Sequence, residues 1–405
     1  MGGHWKSVAP DPQPGRAERR PGAPRHKTPL RPRQFPRKLR STALSSGPRA
    51  LPQHPLPLTA FVAASLLPLP LIGLGLAFGG PWLWAAFLYM AVLTLILDQI
   101  IPLTEGRSEA TGFPAADVLL VAIGLSALAL LPLATWGIAG PSGLPPDQCI
   151  LLFLATGFWL GQVGHPAAHE LIHRPRREHF RLGAAVYTAF LFGQHASAHR
   201  LVHHRYVASP DDPNTAREGE SFYRFAPRAW TGSFRQGLLA EQALRRRASH
   251  FGLNPYLVYI AGGLASLALA ALVAGLPGLL VWTGLALHAQ SQILLSDYVQ
   301  HYGLIRARGA DGRLEPVGTA HSWNTAHWFT SAMMLNAPRH SDHHVHPSRP
   351  FPALRLAEDA PRLPWPLPLA CALALAPRLW RRAVGPHLDR WRKSRPRQSS
   401  ADTAA

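Results

Sequence analysis

The stretch QCILLFLATGFWLGQVGHPAAHELIH, residues 148–173, decides the fold. Its first part, 148–164, is an apolar run without a charged residue, close to the roughly 20 residues an α-helix needs to cross the hydrocarbon of a bilayer. It leads into His169-Glu170-Leu171-Ile172-His173. Histidines four apart lie on one helix face, so a membrane span here delivers a pair of imidazoles to one point at its exit. His165 sits one turn earlier, as a further ligand or as a polar residue at the lipid boundary.

Outward from this stretch, five more apolar runs have spanning length: 58–79, 81–101, 118–139, 256–276 and 278–295, the last two divided at Pro277. The sequence therefore predicts an all-α, polytopic membrane protein of about six transmembrane helices. The turn at Gly79 and Gly80, the loop 140–147 and the turn at Pro277 carry no Lys or Arg, whereas 174–181 and Arg245-Arg246-Arg247 are basic. The connection 102–117 holds Arg107 alone. Cytoplasmic loops carry the excess of basic residues, which assigns both termini and the histidine-rich segments to the cytoplasmic side of a cell (inner) membrane. Three regions follow: a basic tail 1–57, a helical bundle with its cytoplasmic segments 58–365, and an interfacial segment with a basic tail, 366–405.

Composition narrows the chemistry. Charged residues make up 16% and apolar ones 47%, against about a quarter charged in an ordinary soluble domain. The formal charge of +19 is concentrated in residues 1–50, where Arg16, Arg19, Arg20, Arg37, Lys38 and Arg40 lie among prolines and only Asp11 and Glu18 oppose them. Such a segment cannot build a core, and no folded basic module with interleaved aromatics follows it, so a nucleic-acid partner is not expected. Two cysteines, Cys149 and Cys371, are too few for a disulfide framework, an all-thiolate zinc site or a four-cysteine iron-sulfur centre. Any electron carrier is a separate protein. The 21 histidines are left as the metal-binding resource.

They are not scattered. After the pair His169 and His173 comes His199-Arg200-Leu201-Val202-His203-His204, with His195 one turn before it. Helical spacing puts His199 and His203 on one face and His204 about 100° around, toward a second metal. A third cluster, His340-Ser341-Asp342-His343-His344, repeats the pairing, and His301 lies just past the last span. A single metal of four to six ligands cannot use this many imidazoles, so the pattern predicts a two-metal site. Asp211-Asp212-Pro213-Asn214 reads as a turn.

With these residues in hand, the chain resembles the membrane alkane 1-monooxygenase family, within the wider fatty acid desaturase and hydroxylase group of diiron membrane enzymes. The matching stretches are HELIHR (169–174), HRLVHHRYVASPDDPNTAREGESFY (199–223), DYVQHYGL (297–304), HSWN (321–324) and NAPRHSDHHVHPSRPF (336–351). The resemblance implies nine iron ligands: His169, His173, His199, His203, His204, His301, His340, His343 and His344. It implies two non-haem Fe ions with O2 as co-substrate, and hydroxylation of the terminal methyl group of medium- or long-chain n-alkanes drawn from the bilayer. Electrons would come from rubredoxin and an NADH-dependent rubredoxin reductase. Two positions depart from the family pattern: Ala198 and Gln300 stand where acids are usual.

Beyond the nine, Glu170, Asp297 and Asp342 are expected to orient imidazoles. A substrate channel is expected among the spans 81–101, 148–164 and 278–295. Trp82, Trp84, Phe153, Phe158, Trp159 and Trp282 read as interface anchors or helix packing. Arg174, Arg176, Arg177 and Arg245–Arg247 would attract a small acidic redox protein. The stretch Arg217-Glu218-Gly219-Glu220-Ser221-Phe222 has no role legible here. Alternatives are a fatty acid desaturase or a xylene-type methyl hydroxylase. His169–His173 also fits H-E-x-x-H, the zinc metalloprotease pattern, but that leaves seven histidines unused. A metal transporter would place its ligands at the membrane midplane rather than at an exit.

Deletion of residues 2–50 should leave turnover within roughly a few-fold, because that composition contributes no packed structure. Iron content and turnover of the shortened, membrane-inserted protein check this; loss of iron binding would contradict it.

Overall fold

The computed structural model describes residues 56–100, 114–248 and 252–394. The basic segment 1–55, the connection around Arg107 and the terminal residues 395–405 lie outside the described residues. Four apolar helices come first: α1 (Leu58–Phe78), α2 (Pro81–Ile100), α3 (Ala115–Ala139) and α4 (Pro146–Ile172). After α5 (Arg177–Ala189) and the short helix α6 (195–206) come α7 (Phe222–Arg247) and the long α8 (Pro255–His301). Four smaller helices close the chain: α9 (Trp328–Met333), α10 (His340–Val345), α11 (Leu367–Ala374) and α12 (Pro377–Ser394). No strand ladder occurs among the described residues, only two isolated bridges.

Among the described residues, five helices have the length and apolar character to cross a membrane, against the six runs expected, and α8 accounts for the difference. Ala274 and Gly275 inside it are non-helical, with Gly275 at φ 59°, a left-handed conformation that glycine adopts without a Cβ penalty. The chain folds back there. A Cβ on Gly278 would overlap the carbonyl oxygen of Ala270, eight residues earlier, where a continuous helix would separate them by about 12 Å. The two runs thus form two spans joined by a tight reversal. The outward surfaces remain apolar, with Phe78, Leu264 and Leu272 at 74%, 63% and 84% exposed, as lipid-facing positions require.

The spans that matter most are longer than expected. The apolar run of α4 does not end at Gly164. It passes through one wide turn, Leu160–Gly164, in which the N–H of His165 reaches back five residues to the carbonyl of Leu160, and continues to Ile172. The second half of α8 likewise runs on to His301. These two segments lie side by side because Gly157 and Gly161 leave room: a Cβ on the first would overlap His288 and on the second Gln292. Gln292 Nε2 donates to the carbonyl of Gly157 at 2.8 Å.

The aromatic residues divide as their surroundings dictate. Trp82 and Trp84 are 39% and 51% exposed, as interface anchors would be, whereas Trp159 and Trp282 are buried. Their indole N–H groups donate to the carbonyls of Ser65 and Ala189 at 2.8 and 2.9 Å. Asp98, at the end of α2, accepts the N–H groups of Phe329 and Thr330 at 2.8 and 3.1 Å and caps α9. The segment read as a C-terminal tail differs most from expectation. Residues 377–394 form α12, whose Trp380, Val384 and Leu388 recur every fourth residue and are buried, with Trp380 against Tyr302, ring centroids 5.5 Å apart.

Candidate metal centre

Four segments far apart in sequence end at one place: the exit of α4, helix α6, the exit of α8, and α10 after its loop. The nine histidines expected from sequence fall there into two groups. Ring nitrogens of His169, His173, His199, His204 and His343 lie within 4.8 Å of one another, as do those of His203, His301, His340 and His344. Metal–imidazole bonds of about 2.0–2.1 Å separate ligand nitrogens on one ion by roughly 3–4 Å, so each group has the dimensions of one ion's shell. The groups adjoin, with His204 and His344 ring centroids 4.6 Å apart.

The direction of the nitrogens is the stronger observation. Nε2 of His199 lies 2.7 Å from Nε2 of His169 and 2.9 Å from Nε2 of His204, and Nε2 of His343 lies 3.1 Å from the latter. In the second group, Nε2 of His340 lies 3.1 Å from Nε2 of both His301 and His344. Nε2 of His173 and of His203 is buried with no hydrogen-bond partner. A neutral imidazole has one donor and one lone pair, so a set of like atoms converging on one point cannot satisfy itself by hydrogen bonding. A cation at each point does satisfy it, and the donor set fits a transition metal that prefers nitrogen.

The electrostatics agree. Burial, reinforced by the neighbouring rings, pushes the basicity of His199, His204, His340, His343 and His344 well below the ordinary histidine value. Burial and the nearby Arg200 and Arg174 push His173 down to about 3. At neutral pH these rings are therefore neutral, the form that binds metal. His203 is the exception. Burial opposes charge on both it and Asp212, but their attraction and hydrogen bond outweigh that cost, so His203 is held above and Asp212 below the ordinary value.

Local backbone decides which histidine joins which group, and here regular helical spacing misleads. His199–His203 is a wide turn in which the N–H of His204 reaches the carbonyl of His199, five residues back. Residue i+5, not i+4, then stands over residue i. His199 and His204 accordingly share the first group and His203 belongs to the second, the reverse of the pairing that a regular α-helix gives. His165 joins neither group; its Nδ1 lies 3.0 Å from the Tyr187 hydroxyl.

The acids expected to orient the rings do other work. Glu170 accepts from Arg174 and from the N–H of Phe351, both at 3.1 Å. Asp342 accepts from Arg349 and, at 2.8 Å, from the N–H of Arg355. Both brace the loop after α10 rather than an imidazole. Asp297 accepts from Asn214 Nδ2 at 2.6 Å, and Asn214 N–H in turn donates to Asp212. The acid that does meet a ring is Asp212, whose Oδ2 lies 2.9 Å from His203 Nδ1. It also accepts from the N–H of Asn214 at 3.0 Å and the Thr215 hydroxyl at 2.7 Å. The sequence shows it only as part of a turn, which it also is.

The stretches 217–222 and 321–324 find structural roles. Asn324 accepts the N–H of Ser341 at 3.0 Å, fixing the start of α10, and Trp323 donates to the carbonyl of Tyr302 at 2.9 Å. In the stretch 217–222, the N–H of Gly219 donates to the Tyr302 hydroxyl at 2.9 Å and the carbonyl of Glu220 accepts from Tyr298 at 2.6 Å. Glu218 meets Arg392 of α12 at 2.7 Å. Of the basic residues considered for docking, Arg174 is paired with Glu170 and Asp117 at 3.1 and 3.3 Å and is nearly buried, so it offers no free charge; Arg176 and Arg177 are exposed. Gln300, in place of an acid, accepts from Ser296 at 2.8 Å and donates to the carbonyl of Ala337 at 3.2 Å.

Beside the centre lies a mainly apolar cavity of about 320 Å3. Its walls are Phe158, Gly161, Gln162 and His165 of α4, His288, Ser291, Gln292, Leu295 and Ser296 of α8, Met334, and Leu367, Cys371 and Leu375 of the α11 region. The third wall is therefore α11 and not α2, and Phe158 lines the space rather than serving only as packing.

An all-helical membrane bundle whose span exits gather histidines into two metal-sized groups is the class that fold and site define. The chain belongs to the fatty acid desaturase family, whose profile matches residues 148–370. It is similar to the alkane 1-monooxygenase 1 of Pseudomonas aeruginosa, 34% identical over 58% of this chain and 62% of the relative. To the alkane 1-monooxygenase of Pseudomonas putida it is 32% identical over 65% of each chain. To the xylene/toluene monooxygenase hydroxylase component of Pseudomonas putida it is 28% identical over 78% of this chain and 86% of the relative. The chain spans less than two thirds of the length of the first two relatives.

Asp212→Asn keeps the shape of the Asp212 network and removes its charge, and should weaken metal binding about 10–100-fold. Chelator competition on the purified protein reads this, with the melting temperature as control for folding. Unchanged affinity would show that Asp212 does not support His203.

Proposed function

We propose that the protein is an integral-membrane, non-haem diiron monooxygenase that hydroxylates the terminal methyl group of n-alkanes to primary alcohols. One observation carries the reading: nine imidazoles in two adjoining groups at the span exits, next to an apolar cavity between two of those spans. His169, His173, His199, His204 and His343 would hold one iron, and His203, His301, His340 and His344 the other. Bound there and reduced, the iron pair would supply the activation of O2 for insertion into a C–H bond.

The chain's own residues do the rest. Neutral ligands leave the charge of the metals uncompensated, and Asp212 supplies negative charge through His203. Phe158, Leu295, Met334 and Leu367 exclude water and hold the alkyl chain by burial, about 0.8 kcal/mol per methylene. Glu170 and Asp342 fix the loop that follows α10. Overall, R–CH3 and O2 with two electrons and two protons give R–CH2OH and water. The electrons come from a rubredoxin and its NADH-dependent reductase, docking on the cytoplasmic face of the inner membrane, where the basic loops and the centre lie.

The H-E-x-x-H protease reading loses ground because Glu170 is committed to Arg174 and Phe351. Hydroxylation of a methyl group on an aromatic ring is the second reading, favoured by the xylene/toluene relative that the chain covers more fully.

Expressed with a rubredoxin and its reductase and fed mixed alkanes, fatty acids and xylenes, the protein should yield primary alkanols as the main products. His173→Ala and His343→Ala should each abolish hydroxylation while leaving membrane insertion intact. Desaturated acids as the main product, or full activity in either variant, would overturn the corresponding part of the proposal.

A further inference from the structure

Of the residues lining the cavity beside the metal centre, Ala372 and Leu375 are the exposed ones, so its mouth lies where α11 ends and α12 begins. That corner is both apolar and positively charged. Leu375 and Leu379 are 44% and 50% exposed. Tyr223, 60% exposed, donates its hydroxyl to the carbonyl of Leu375 at 2.8 Å and so seats the start of α7 against the same corner. Beside them stand Arg378 and Arg382, four residues apart on the outer face of α12, and Arg224 next to Tyr223, all exposed. The nearby acids have other partners: Glu218 pairs with Arg392 and Glu220 with Arg228. Asp389, the only acid of α12, lies about 10 Å along the helix from Arg382. Among the described residues no carboxylate pairs with Arg224, Arg378 or Arg382.

We infer that this corner is a binding site for one anionic phospholipid, its phosphate at Arg378 and Arg382 beside Tyr223 and an acyl chain along Leu375 and Leu379 across the mouth of the cavity. The inference does not depend on the reaction proposed above. Depth selects the occupant. The other walls of the cavity belong to α4 and to the second half of α8, spans whose surroundings are the bilayer. Trp380, one residue past Leu379, packs on Tyr298 and Tyr302, just after the apolar run 278–295 ends. At that height the leucines meet acyl chains and the arginines meet the headgroup layer, where tyrosine also concentrates. A water-soluble acidic protein docking by charge does not reach Leu375. Charge selects the headgroup. The guanidinium fork matches phosphate, and a zwitterionic lipid brings its own cation to that phosphate. Three arginines without carboxylate partners therefore favour a lipid that carries net negative charge. With the lipid in place, its acyl chain forms the outer lip of the cavity against α11.

Native mass spectrometry of the full-length protein, titrated in detergent with dioleoylphosphatidylglycerol or dioleoylphosphatidylcholine, tests this. The wild type should retain one phosphatidylglycerol per chain about 20-fold more tightly than phosphatidylcholine. Arg378→Gln with Arg382→Gln should remove that preference, roughly five-fold for each charge lost. Removing the same charge at the far end of the helix, by Arg390→Gln with Lys393→Gln, should leave it in place. The basic segment 1–57 is common to all these proteins and cancels in the comparison, and melting temperature in phosphatidylcholine checks that each variant folds. In nanodiscs containing both lipids, a photoreactive benzophenone side chain at position 379 should form adducts enriched in phosphatidylglycerol over its share of the bilayer. Equal retention of the two lipids, a preference unmoved by the double variant, the same loss from the distal pair, or adducts without enrichment would overturn the inference. So would a double variant that keeps its lipid preference and loses affinity for a small acidic redox protein, which would make the corner a protein-docking face.

Discussion

Everything in this structure depends on placing nine imidazole lone pairs against one another in a buried space. Without cations the arrangement is unfavourable, since Nε2 atoms of like rings face each other at 2.7–3.1 Å and those of His173 and His203 have no partner. With cations it becomes a cross-link. Residues as distant in sequence as His169 and His343 are brought to one ion-sized site, and the binding free energy is then available to hold their segments together.

The scaffold serves that convergence with several devices. Two apolar helices run on beyond their most apolar stretches, so that His169 and His301 ride on helical segments rather than loops. Glycines let those helices approach. The wide turn at His199–His203 sends one histidine to each neighbouring group from adjacent positions. Asp212 locks His203, Asn324 anchors α10, and α12 with Trp380 covers Tyr298 and Tyr302 near the end of α8.

Much of this was readable in the sequence, and for physical reasons. Spanning helices announce themselves because a bilayer demands unbroken apolar runs, and His169 with His173 announces itself because i and i+4 share a face. Four things escaped because they are long-range or irregular. The grouping of His199 with His204 depends on a single i→i+5 hydrogen bond, which leaves no compositional trace. Asp212 looks like any turn acid until the fold brings His203 to it. The reversal at Gly275 had only Pro277 beside it as a marker, and the docking of α12 showed only as Trp380, Val384 and Leu388 at four-residue spacing within a strongly basic segment.

The cavity and the histidine groups share the same two helices, so the shape of the one and the positions of the other are set by one piece of geometry. The measurement that tests the account most directly is metal analysis with X-ray absorption on the purified full-length protein. Two irons per chain, bound by nitrogen at about 2.0–2.2 Å, is the predicted result. One zinc per chain, or iron bound largely by oxygen, would contradict it.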